Sequence, residues 1–74
     1  MNHSASTQRA IILGYLQRGL SLTTRYARTN LDIMNPSARI SELRAMGYDI
    51  VSNRRKIDGH NGVAEYVLLS NYPL

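Results

Sequence analysis

The sequence predicts a small α+β domain, with three helices and one short strand ahead of a C-terminal β-hairpin. Three observations carry that expectation. A sharply bounded helix is written over residues 35–47, a shorter helix leads into it through a tight turn, and two β-rich runs flank a cluster of turn formers after Gly47. Seventy-four residues make one domain with a modest core. Apolar residues at 43% and charged residues at 19% place the chain among folded globular proteins, not disordered ones.

Residues 1–6 are polar and small and read as a disordered N-terminal tail, with the domain over 7–69 and a short tail over 70–74. Ser6 or Thr7 can cap a first helix running to about Arg18, with Ile12, Leu13 and Leu16 inward and Ile11 and Tyr15 on its shoulders. Gly19 ends it. Gly14 in its middle costs roughly 1 kcal/mol against alanine, which a close helix-to-helix approach would explain. Leu20-Ser21-Leu22 alternates in period two and is expected to form the brief strand. Thr23 caps a second helix over Thr24 to about Asn30, with Ala27 and Tyr26 turned inward. Leu31, Ile33 and Met34 fill the turn that follows.

Asn35 is a good N-cap, Pro36 suits the first helical position, and Gly47 supplies a left-handed stop. Between them Ile40 and Leu43 share one stripe with Pro36. Ala38, Ser41, Glu42 and Ala45 point the other way, flanked by Ser37, Arg39 and Arg44. Such a helix, thinly apolar inside and small and polar outside, can lie close to another surface, such as a DNA major groove. Beyond Gly47, Ile50 and Val51 open a strand that turns basic at Arg54-Arg55-Lys56. Residues 58–62 are turn formers, and Val63–Leu69 is the returning strand. Ala64, Tyr66 and Leu68 are expected to face the core with Ile50, which leaves Val51, Val67 and Leu69 outside. Tyr72, Pro73 and Leu74 or a second subunit would then cover that patch. Two helices in a tight turn followed directly by a hairpin make a winged helix-turn-helix.

The formal charge is +4, and eight of the nine basic residues are Arg, Lys56 being the exception. Arg carries a planar fork of donors that matches phosphates and guanine edges, so this bias points to nucleic acid. The stretches GYLQRGLSLTTRYA and ARISELRAMGYDI resemble the small winged helix-turn-helix proteins common in phages and prophages. The matching positions are Leu22-Thr23, Ala27, Ala38-Arg39-Ile40, Leu43-Arg44, Gly47 and Ile50, within a resemblance spanning Gln8 to Leu68. It implies this fold and a DNA-binding role. Tyr26 departs from the family pattern, which carries a glutamate there as a capping-box partner, so a weaker second-helix cap is expected.

Expected base contacts are Ser37, Ala38, Arg39, Ser41 and Glu42 on the third helix, where base edges are usually reached. Arg39 can equally lay its stem along the domain and pair with Asp32, Asp49 or Glu42. Expected backbone contacts are Thr24, Arg25, Arg28, Arg44, Arg54, Arg55 and Lys56, with strand alternation separating Arg55 from its neighbours.

Double-stranded DNA is the expected partner, with a homodimer through Val51, Val67 and Leu69, or a host or phage protein, as further partners. No cofactor or metal is expected: Asp58 and His60 make two ligands in a turn, which is ordinary turn chemistry. No nucleophile–base set, paired carboxylates or phosphate-binding glycine loop is written in the chain, so it is expected not to be an enzyme. The chain has no cysteine, and neither a signal-peptide pattern nor a membrane-length apolar run is read from it, so a cytoplasmic protein is expected. Three readings stand: a sequence-specific phage regulator, an excisionase-like protein that bends DNA, and a winged helix that binds a host protein.

Overall fold

The computed structural model describes residues 4–57 and 59–69, except for the side chains of Ile57, His60 and Asn61. The elements run α1 (Ala5–Gln17), β1 (Leu22–Thr23), α2 (Thr24–Asn30), α3 (Pro36–Ala45), β2 (Ile50–Ile57) and β3 (His60–Leu68). The sheet is antiparallel in the order β1-β3-β2, so the last strand is the central one. This is the winged helix-turn-helix arrangement expected above. The expected closure by Tyr72, Pro73 and Leu74 and the Asp58–His60 pair lie outside the described residues.

The core is a single cluster gathered from every element. Ile12 and Leu16 come from α1, Leu22 from β1, Ala27 from α2, Ile33 from the turn, Ile40 and Leu43 from α3, Ile50 from β2 and Tyr66 from β3. Leu13, Leu31, Ala64 and Leu68 pack around it, half-buried. In so short a chain each of these side chains carries a large share of the stability.

Local chemistry moves several boundaries. The first helix starts earlier than Ser6 or Thr7, because Ser4 caps it by accepting from the Thr7 amide at 3.2 Å. Gly14 is exposed, and a Cβ there would meet nothing within 4 Å, so no helix approaches it. The brief strand is Leu22–Thr23, not Leu20–Leu22. β3 runs beside the chain only where Leu22 faces Tyr66 and Thr23 faces Glu65, and Leu20 stays exposed. The second helix needs no glutamate, since Thr23 Oγ1 accepts from the Tyr26 amide at 3.0 Å. Tyr26 itself turns outward, its ring 5.4 Å from that of Tyr15. Of the three turn residues Ile33 is fully buried, Leu31 half-buried and Met34 exposed. Asp32 takes a left-handed φ of 56° that swings Ile33 inward, where its amide donates to Ala27 O at 2.9 Å.

In the hairpin, Ile50 faces Leu68, Ser52 faces Tyr66 and Arg54 faces Ala64, while Val51 faces Val67 and Arg55 faces Val63. Side chains alternate along each strand, so the first set lies on the core side and the second on the outside. Val51 and Val67 are half-buried and Leu69 is exposed on that outer side. A register shift between Arg55 and Ile57 marks the approach to the tip.

Candidate nucleic-acid interface

A cleft of about 440 Å³ lies between α2, α3 and the sheet. Thr24 and Arg28 line it from α2, Ser37, Ser41 and Arg44 from α3, and Ser52 and Arg54 from β2. Each position follows from local periodicity. Ser37, Ser41 and Arg44 follow one another at four- and three-residue spacing along one flank of α3. Ser52 and Arg54 continue the inward side of β2 that Ile50 begins.

All three arginines are tethered in the same way. Arg28 Nε donates to Met34 O at 3.1 Å, Arg44 Nε to Ile50 O at 2.8 Å, and Arg54 Nη1 to Gly62 O at 2.8 Å. Each guanidinium spends part of its fork on a main-chain carbonyl and keeps further N–H donors for another acceptor. The tethers fix the stems and so lower the conformational entropy lost when an anion arrives.

Charge is sorted around this cleft. No acidic residue lines it among the described residues. Glu42 lies on the opposite flank of α3, where its Oε1 meets Arg9 Nη1 at 2.8 Å and its Oε2 accepts from Arg39 Nη2 at 3.2 Å. Arg39 Nη1 also reaches Gln8 Oε1 at 3.4 Å. Glu65 lies on the outer side of the sheet, with Arg55 Nη1 2.6 Å away. Hydrogen bonds from Arg55 first and Ser21 second hold the Glu65 carboxyl below its ordinary pKa, against a smaller opposing effect of burial. Where α1 meets α2, burial and the neighbouring Tyr26 raise the Tyr15 phenol above its usual value.

The model of the winged helix-turn-helix domain family matches residues 7–71. The chain belongs to that family. Comparison with curated proteins and with solved structures found no match. Membership suggests DNA binding, makes α3 the recognition helix and makes the β2–β3 hairpin the wing. No helix among the described residues is long and apolar enough to cross a membrane.

On this winged helix the residues singled out from sequence separate onto different surfaces. Thr24, Arg28, Ser37, Ser41, Arg44 and Arg54 come together in the cleft. Ala38 is half-buried near the outward face of the recognition helix, and Arg25 is exposed on α2. Arg39 and Glu42 are turned to α1, and Arg55 is turned to the outer face of the wing. Of the three partners open to Arg39, the structure takes Glu42. Lys56 is exposed beside the register shift, and Val51, Val67 and Leu69 lie on the sheet side away from the cleft. Sequence reasoning missed Ser52, which alternation from Ile50 places inside, and Arg9, whose contact with Glu42 spans 33 residues and leaves no local signal.

Proposed function

We propose that this winged helix is a sequence-specific DNA-binding protein acting as a transcriptional regulator of the phage and prophage type. The outward face of α3, with Ser37, Ala38 and Ser41, enters the major groove and meets base edges there. Arg28, Arg44 and Arg54, with the Thr24 hydroxyl, hold the adjoining phosphates, and the wing brings Arg54 to them. One observation carries this reading: three tethered arginines share one cleft beside the recognition helix, no acidic residue among the described residues lines it, and Glu42 and Glu65 are ion-paired on other faces. The resemblance to phage and prophage proteins supports the regulatory role. Arg39, Glu42 and Arg55 are left out of the contact set because their charged groups are already engaged elsewhere.

The test is fluorescence anisotropy of labelled duplex DNA across a salt series, comparing wild type with Arg28→Ala/Arg44→Ala/Arg54→Ala. Each phosphate contact contributes about 0.9 to the slope of log affinity on log salt, so the triple variant should lose about 2.7 of slope. Selection from a random duplex pool then gives the operator. Absence of binding at low salt by a protein that is folded by circular dichroism would overturn the proposal and direct attention to a protein partner.

A further inference from the structure

Glu42 sits on the recognition helix yet faces away from the cleft, and its surroundings assign it a role. Its two oxygens are shared between two arginines, Arg9 from α1 at 2.8 Å and Arg39 from α3 itself at 3.2 Å. Arg39 Nε lies 3.0 Å from Oε1, close enough for an ion pair although its N–H is off the line to any acceptor. Gln8 takes a further Arg39 donor. One carboxylate therefore folds two long cationic side chains back along the α1–α3 seam.

This arrangement returns little stability, because partly exposed ion pairs contribute little to folding. The Glu42 side chain retains 38% of its exposure and that of Arg9 28%. An acid on a helix that approaches DNA also repels phosphate. Both considerations disfavour Glu42 as a mere structural residue.

We propose that Glu42 withholds Arg9 and Arg39 from the DNA backbone and so limits the protein's sequence-independent affinity for duplex DNA. The inference rests on the DNA-binding reading above. Phosphate contacts carry no sequence information, and adding two of them would raise affinity for every sequence alike. With Glu42 in place the trio carries a net charge of +1 (two arginines less one glutamate) and both forks are directed inward. Without it the trio carries +2 and both stems are released to swing outward.

The experiment is anisotropy on a duplex of mixed, unselected sequence, titrated with sodium chloride, using wild type, Glu42→Gln, Arg9→Gln/Arg39→Gln and the triple combination. In Glu42→Gln the slope should steepen by about 0.9 to 1.8, one to two new phosphate contacts, and binding at low salt should tighten. Between about 50 and about 200 mM salt that variant should lose an additional ~3.5- to 12-fold in affinity relative to wild type. Arg9→Gln/Arg39→Gln should keep the wild-type slope, and adding Glu42→Gln to it should leave that slope unchanged. An unchanged slope in folded Glu42→Gln overturns the proposal. So does an equal increment in the background lacking both arginines, since Glu42 would then act only through net charge. The Arg9→Gln/Arg39→Gln arm decides independently of how well Glu42→Gln folds: a lowered slope there means the arginines already touch DNA, and overturns the proposal. Failure of wild type to bind at any salt overturns the functional proposal itself, and this inference falls with it.

Discussion

Arg54 and Arg55 are adjacent in sequence, chemically identical and exposed, yet they should behave as opposites in DNA binding. Alternation places Arg54 on the cleft side of β2 opposite Ala64, and Arg55 on the outer side opposite Val63. Arg54 gives one donor to Gly62 O and keeps others for a further acceptor, whereas Arg55 is held by Glu65 at 2.6 Å. Arg54→Ala should reduce the salt slope by about 0.9 and weaken binding about equally across sequences. The lost bond to Gly62 should cost about 0.5–1.5 kcal/mol of stability, since it is a single hydrogen bond in an exposed wing. Arg55→Ala should leave the slope unchanged and affinity within about twofold, because a charge on the far side of the sheet is largely screened over a Debye length of about 8–10 Å. Parallel anisotropy titrations of the two variants, with circular dichroism to establish folding, make the comparison. Equal losses of slope in both would refute the assignment of faces, and with it the cleft as the phosphate-binding surface.

Two glycines should respond in opposite directions to alanine. Gly14→Ala fills open space in the middle of a helix and should stabilise by about 1 kcal/mol, while Gly47→Ala forces a φ of 102° on an L-residue and should cost about 1–3 kcal/mol. Thermal melts of the two variants check both signs. The Glu65 carboxyl has a folded pKa below its unfolded one, so its contribution is present above the ordinary carboxylate range and is lost as pH falls through the folded value. Melting temperature should therefore fall with acidification more steeply in wild type than in Glu65→Gln, and equal pH dependence in the two would exclude this source.

Much of the fold is legible in the residues because its signals are local. Asn35, Pro36 and Gly47 bound α3 by their own backbone chemistry, and the caps and turns need nothing from elsewhere in the chain. Alternation along the hairpin likewise separates Arg54 from Arg55 once Ile50 and Tyr66 are placed inward. The cleft is less legible, since a small polar helix has two flanks of similar composition. One carries Ser37, Ser41 and Arg44, and the other carries Arg39 and Glu42. Which flank meets α1 follows from how Ile12 and Leu16 pack with Ile40 and Leu43 in the core, and only then does Arg9 meet Glu42 across 33 positions. Tyr26 illustrates the same limit. Its capping role belongs to its amide and is local, but the ring's outward turn depends on Tyr15, which arrives from another helix.

The strand order also has a consequence for how the protein is made. β1 and β2 do not pair with each other; each pairs only with β3, the last element in the described chain. Leu22 must wait for Tyr66, a partner 44 positions later (66 less 22), before its edge of the sheet exists. During synthesis at roughly 5–20 residues per second, the three helices emerge while the framework that orients them is still incomplete. Loop closure over that distance slows the final step further. Arg54 likewise acquires its Gly62 anchor only when the returning strand is in place. A nascent or clipped chain ending short of β3 thus contains all of α3 but no seated wing, so the cleft between them is complete only once β3 is in place.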